Sequence, residues 1–438
     1  MENSTTPALH TDRYELTMLN AALGDGTSQR RATFEVFARF LAEGRDFGVV
    51  AGIERAIDAI HSFRFSPSQV LWLVDEGVVD AEHRDYLLGF SFAGEVRGYG
   101  EGELYLPNSP ILRVEGTFAE CVVLETILLS ILNHDTAVAS TAAQMFRVAG
   151  GRRLIEMGSR RTHDDAAVHA ARAAFIGGFD ATSNLEAGYR YGVPTAGTAA
   201  HAWILSHESE YDAFVAQIRA LGVGTTLLVD TFDPTQGTVN AANAARSFGA
   251  PGPGAVRIDS GDLLEQARSA RRLLDSLGAT ETTIVATGDV DEARIAALVN
   301  GGAPIDTFGV GTRLVTGANC PSPGFVYKLV AIESKDRNVV SVAKRSPDKQ
   351  DVGGVTHARR MTVEEARALG GSFDDESATV EVLFKEDPRK EQCETWVDPQ
   401  RLLISGGQPL AHAPSLEEVR VATMQRLAST SRLVQMRR

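Results

Sequence analysis

TTIVATGDVDEARIAALVNGGAPIDTFGVGT, residues 282–312, reads as strand, helix, strand: two short apolar runs flank a segment whose apolar residues recur at helical spacing. Strands joined through a helix of this length pair in parallel, because an antiparallel neighbour needs only a short turn. Both apolar runs end in polar and glycine residues, TGD at 287–289 and GVGT at 309–312. The same texture runs backwards along the chain. RLIEMGS (153–159), GVPTAGT (192–198), TTLLVDTF (225–232) and AVRIDSG (255–261) read as strands. Helical patterns at 118–134, 165–178, 211–222, 238–249 and 263–278 alternate with them. This is the pattern of a parallel α/β barrel or a doubly wound sheet. The barrel is favoured because polar residues return at strand C-termini, the face on which barrels carry chemistry.

Outside this region the texture differs. TDRYELTMLNAAL (11–23) predicts an amphipathic helix and RATFEVFARF (31–40) an alternating strand, followed by helical patterns at 52–63, 67–76 and 80–88. A glycine-punctuated stretch, 94–117, predicts a small sheet. After about residue 325 strand-like pieces return, GFVYKLVAIE and NVVSVAKRS, with a last helix near 415–430. The expected organisation is therefore residues 1–117, a barrel over 118–324, and residues 325–438 packing on the first segment.

The 438 residues exceed what one core serves, and 43% hydrophobic with 23% charged residues is ordinary globular composition. A formal charge of −14 disfavours nucleic acid and anionic membrane as partners, while leaving small anions open. Cys121, Cys320 and Cys393 stand far apart, so neither a disulfide scaffold nor a zinc ribbon is expected. MENSTTPALH has no secretory character, and CVVLETILLSILNH is too short for a membrane span and carries Glu125. A reduced, cytoplasmic setting fits.

The expected strand ends carry Arg160 and Arg161, Thr198 and His201, Asp230 and Asp233, then Arg257, Asp259, Ser260 and Asp262. Gly288 with Asp289, and Gly309, Gly311, Thr312 and Arg313, complete the series. Each has a plain reading: paired arginines as surface charge, Asp289 as a helix cap, a lone histidine as a satisfied one. On a single rim they suit a phosphorylated sugar. Backbone N–H groups at Gly311–Thr312 can receive phosphate oxygens, arginines can grip phosphate in bidentate fashion, and Asp259, Asp262 or Asp289 can hold Mg²⁺. His201 can serve as base or as nucleophile toward a phosphoryl group.

Seven stretches in order carry a specific likeness from the N-terminus to about residue 330: TDRYELTM, PILRVEGTFAECVVLETILLSILN, EMGSRRTHD, GGFDATSNLEAGYRYGVPTAGTAAHAW, VRIDSGDL, TGDVDE and FGVGTRLVT. Together they resemble the nicotinate phosphoribosyltransferase family. That resemblance implies an irregular α/β barrel beside an open-faced sandwich domain, in a homodimer with shared active sites. It implies joining nicotinate to 5-phosphoribosyl 1-diphosphate, giving nicotinate mononucleotide and diphosphate, with Mg²⁺ as cofactor. ATP is the implied co-substrate, its hydrolysis coupled through a phosphohistidine at His201. By the same likeness Tyr14 stacks on the pyridine ring, and Arg160, Arg257 and Thr198 surround nicotinate and the phosphates. Asp180 and Asp259 lie near pyridine and ribose, Gly288, Gly311 and Thr312 form phosphate turns, and Asp262 and Asp289 are the metal candidates.

A nicotinamide-using relative shares most of these features. A Schiff-base aldolase on the same architecture needs a lysine, and residues 118–317 contain none. A metabolite sensor built on the same barrel is separated from an enzyme by turnover alone.

Overall fold

Parallel strands at Arg153–Glu156, Ala181–Thr182, Thr226–Leu228, Ala255–Ile258, Thr283–Ala286 and Thr307–Val310 form one six-stranded sheet in the computed structural model of the chain. The structure describes residues 6–346, 349–350, 353–388, 395–410, 414–429 and 432–438. Taken in spatial order from the 181–182 edge, the sheet runs through 153–156, 307–310, 283–286 and 255–258 to 226–228. The register is regular, with Val310 opposite Glu156 and Ala286 opposite Ile258, so strand ends come level at one rim. Helices at 164–176, 210–221, 234–246, 263–276 and 292–300 follow the strands in sequence. Fully buried Val256, Ile284, Phe308 and Val310 explain why these strands read as continuous apolar runs.

One expected strand is absent. GVPTAGT forms only a single parallel bridge, Thr195 to Thr182, and the ladder strand is Ala181–Thr182 instead. Pro194 has no N–H to extend the pairing, so it stops at two bonds: Thr182 N donates to the Pro194 carbonyl and Ala196 N donates to the Thr182 carbonyl, both at 2.9 Å. A helix at Leu185–Tyr191, capped by Asn184, was not anticipated. The sheet is thus a half-barrel, with 193–205 running from its 181–182 edge toward the 226–228 edge. At the far side His201 meets Thr231, and Trp203 Nε1 donates to the Ala213 carbonyl at 3.3 Å.

The chain divides into two units, 1–137 with 319–438, and 138–318. The division falls within the helix Glu125–Ala149, later than the change of texture at 118. That helix extends well past the expected 134, because TAVASTAAQMFRVA is rich in alanine, the best helix former.

In the first unit a seven-stranded sheet interleaves the two ends of the chain. Strand 31–38 lies between 112–117 and 325–333, and 400–405 pairs with 95–99, all antiparallel. Leu16 and Leu19 of the helix Arg13–Asp25 join its core with Phe34 and Val36. Phe34 stacks on Tyr327 at 4.7 Å between ring centroids. A smaller sheet of 357–362, 379–384 and 433–437 has its own core around Met361, Val380 and Val382. Cys121 and Cys320 are free thiols, and Cys393 lies outside the described residues. Among the described residues no helix is long and apolar enough to cross a membrane.

Candidate active site

Strand Ala255–Ile258 delivers the centre of the rim. Arg257 sits on it and Asp259 follows it, and their side chains meet: Arg257 Nη2 donates to Asp259 Oδ1 at 2.8 Å. The other nitrogens of the fork are also engaged. Nη1 donates to Thr198 Oγ1 at 3.0 Å, and Nε donates to Thr287 Oγ1 at 2.9 Å. A guanidinium fixed at three points is aimed before any ligand arrives.

His201 opens the short helix His201–Leu205. Its Nδ1 lies 3.1 Å from Thr231 Oγ1, and its Nε2 lies 3.7 Å from Asp259 Oδ2, a close approach without a direct hydrogen bond. The ring is 42% exposed, so it is held on one side and open on the other. Burial works to raise the Asp259 carboxyl, but hydrogen bonds from Thr287 and Arg257 and the charges of Arg257 and His201 hold it below its ordinary range.

Beneath this pair lies Asp230, 9% exposed, whose Oδ2 accepts from Asp259 N at 2.7 Å and from Ser260 Oγ at 3.0 Å. Its other oxygen, Oδ1, is buried and has no hydrogen-bond partner. A buried carboxylate oxygen left unpaired is costly, and a cation or water is what relieves it. Gly288 closes against the same turn at φ +91°, and a Cβ there would stand 2.0 Å from the Asp259 carbonyl oxygen. Only glycine fits both the conformation and the space.

The rim gathers further residues. Arg160 sits in a single turn, Ser159–Arg161, and its exposed guanidinium has no ion pair or hydrogen bond among the described residues. Gly311 caps the short helix Thr312–Val315 that follows strand 307–310. Asp289, exposed, adopts φ +48°, uncommon for a residue with a side chain. The helix cap expected at Asp289 belongs to Asp291, which accepts from Arg294 N at 2.9 Å. Asp262 also caps a helix, its Oδ1 accepting from Leu264 N and Glu265 N at 3.1 and 3.2 Å. That commits one of its oxygens. Among the described residues no three His, Cys, Asp or Glu side chains group as a metal cage.

One expected residue lies away from this cluster. Asp180 precedes strand 181–182, at the opposite end of the sheet, where its Oδ2 accepts from Leu154 N at 2.8 Å and its own N–H donates to the Leu154 carbonyl. Asp306 does the same to Ile284, at 2.8 and 2.9 Å, so both aspartates bracket a neighbouring strand from below. The rim residues at that strand are Ser183 and Asn184, three and four positions beyond Asp180. Tyr14 belongs to the first unit, 44% exposed on the helix 13–25. Desolvation, then the neighbouring Glu125, raise its phenol above the ordinary range.

Three rim residues were not singled out from the sequence. Glu156, 1% exposed at the end of its strand, accepts from Gly158 N and Thr182 Oγ1 and so ties the arginine turn to the next strand; burial pushes its carboxyl up. Thr231 and Thr287 hold His201, Arg257 and Asp259. Their signal was position alone, three places and one place beyond a strand end, which a hydroxyl shares with any turn residue.

Residues 9–133 match the nicotinate phosphoribosyltransferase (NAPRTase) N-terminal domain model, and 152–369 match that of the nicotinate phosphoribosyltransferase (NAPRTase) family. The chain is 50% identical to nicotinate phosphoribosyltransferase pncB1 of Mycobacterium tuberculosis over 422 residues, 94% of this chain and 88% of the relative. It is 41% identical to the Bacillus subtilis nicotinate phosphoribosyltransferase over 351 residues, 79% of this chain and 71% of that one. Human nicotinic acid phosphoribosyltransferase superposes with a TM-score of 0.79 at 25% identity, covering 96% of this chain and 94% of that structure. The nicotinate-nucleotide pyrophosphorylase of Pyrococcus furiosus shares the fold, with a TM-score of 0.76 at 22% identity over 98% and 97%.

Proposed function

Because the chain belongs to the nicotinate phosphoribosyltransferase family, we propose that its half-barrel rim joins nicotinate to 5-phosphoribosyl 1-diphosphate, forming nicotinate mononucleotide and diphosphate. The observation that carries this reading is the cluster of His201, Asp259 and Arg257, with one oriented cation, one ionised carboxylate and one half-open imidazole at a single strand end.

The pyridine nitrogen attacks the anomeric carbon as the bond to diphosphate breaks, and the ribose carries positive charge between these events. Arg257, already aimed, and Arg160, without an ion pair or hydrogen bond among the described residues, receive the phosphate charge that develops on the leaving group. The ionised Asp259 lies where a cationic ribose gains from it. Thr198 borders nicotinate, and backbone N–H groups at Gly288, Gly311 and Thr312 donate to the remaining phosphate oxygens.

Mg²⁺ belongs to this reading. Asp289 and the remaining oxygen of Asp262 would supply oxygen ligands to such an ion, with water and substrate phosphates completing the shell. When bound it neutralises charge on the departing diphosphate. ATP is read as the co-substrate: the imidazole of His201 attacks the terminal phosphorus, ADP leaves, and the phosphohistidine is hydrolysed within the cycle. Its new negative charge reorders the surrounding cations. The assembly is read as a cytoplasmic homodimer in which Tyr14 of one subunit stacks on nicotinate in the site of the other. The role is in salvage of the pyridine for NAD synthesis.

The test is one assay with nicotinate and nicotinamide in parallel, with and without ATP, following mononucleotide and diphosphate. Nicotinate turnover stimulated by ATP is the expected result. Turnover of nicotinamide alone, or of neither, overturns the reading.

A further inference from the structure

We propose that Thr287 is a positioning residue for this reaction: its hydroxyl, wedged between Arg257 and Asp259, sets the angle at which both are presented to substrate. The inference rests on the functional reading above and adds a residue to it.

Three observations carry it. The Thr287 hydroxyl accepts from Arg257 Nε at 2.9 Å and donates to Asp259 Oδ1. A hydroxyl is the smallest group that can do both at once. It also loads the carboxylate unevenly. Oδ1 receives both Thr287 and Arg257 Nη2, which turns Oδ2 toward His201 Nε2 at 3.7 Å. Finally, the threonine itself cannot turn. Its N–H donates to the Ile258 carbonyl at 2.9 Å, it is 3% exposed, and its methyl packs where a Cβ on Gly309 would lie, 2.5 Å from Cγ2. A β-branched side chain whose methyl has one slot has one place for its hydroxyl. Gly309, on the adjacent strand, thereby helps to aim the bridge.

Thr287→Val keeps shape and branching but removes the bridge, leaving Arg257 Nε unpaired and Asp259 Oδ1 with Arg257 Nη2 as its remaining donor. Thr287→Ser keeps the hydroxyl and gives up only the methyl. The experiment compares wild type and both variants in steady-state nicotinate turnover, in thermal melting and in crystal structures. For Thr287→Val, kcat/KM for 5-phosphoribosyl 1-diphosphate is expected to fall by about 10- to 100-fold, the loss typical of hydrogen bonds to charged groups. KM for nicotinate should stay within about twofold and the melting temperature within a few degrees. Thr287→Ser should restore most of the loss. The crystal structures should show Arg257 rotated away from Thr198 in Thr287→Val and held in Thr287→Ser. Full activity in Thr287→Val, or no rescue by serine, overturns the inference. A wild type inactive on nicotinate removes the functional reading instead; the crystal comparison then decides the bridge alone, and an unmoved Arg257 overturns it.

Discussion

The two ends of the parallel sheet use the same residue types to opposite effect. At the lower end, Asp180 and Asp306 spend a carboxylate oxygen on a neighbouring strand's N–H, and the Arg152 and Arg271 guanidinia donate to backbone carbonyls. These bonds close on the main chain, apart from the pair Arg271 makes with Asp275 on its own helix. At the rim, Arg257, Asp259, Thr198, Thr287, Thr231 and His201 bond side chain to side chain, and capacity is left over: Asp230 Oδ1, the exposed Arg160 and the open face of His201. The lesson is that leftover bonding capacity, more than charge, distinguishes a site from a brace.

That contrast can be broken most sharply at His201. His201→Ala should fold normally and retain weak synthesis yet lose all ATP stimulation, measured as the ratio of mononucleotide formed with and without ATP. Unchanged coupling would remove the imidazole from the mechanism. Arg257→Ala comes next: leaving Asp259 without its cation and substrate without its grip should lower kcat/KM by about 10²–10³-fold, on the scale of a broken charge-assisted pair. A near-normal KM for both substrates would count against the role given it.

The lower end should behave in the reverse way. Asp180→Ala strands the Leu154 N–H and is expected to cost about 1–3 kcal/mol, seen as a lowered denaturant midpoint, with KM for nicotinate within about twofold of wild type. A large rise in that KM would return Asp180 to the substrate site. The smallest effect concerns pH. Asp259 is held below its ordinary range in the folded state, so its stabilising contribution is present above the unfolded pKa and is lost as pH falls through the lower folded value. Melting curves between neutral and acid pH should therefore show less acid destabilisation in Asp259→Asn than in wild type. Parallel curves would deny the shift.

Much of this was legible in the residues. Apolar runs ending in TGD, GVGT and RIDSGD marked the strands and their rim, because a parallel strand buried on both faces writes itself as an uninterrupted apolar word. Other features left no such mark. FDAT looks the same whether its aspartate precedes a strand or follows one, so the residues themselves do not test the place near pyridine and ribose that the family likeness implies for Asp180. GVPTAGT has the composition of a strand, yet one proline denies it a ladder. Thr231 and Thr287 lie within ordinary turns, and only the distances to Arg257, Asp259 and His201 distinguish them.

The central claim, that the rim is organised around a phosphoryl-accepting histidine, is tested most directly by incubating the enzyme with ATP labelled at the terminal phosphate and mapping the label. The account predicts an acid-labile phosphate on the peptide containing His201, discharged when nicotinate and 5-phosphoribosyl 1-diphosphate are added. Label on another residue, or ATP-stimulated synthesis with no labelled intermediate, would contradict it.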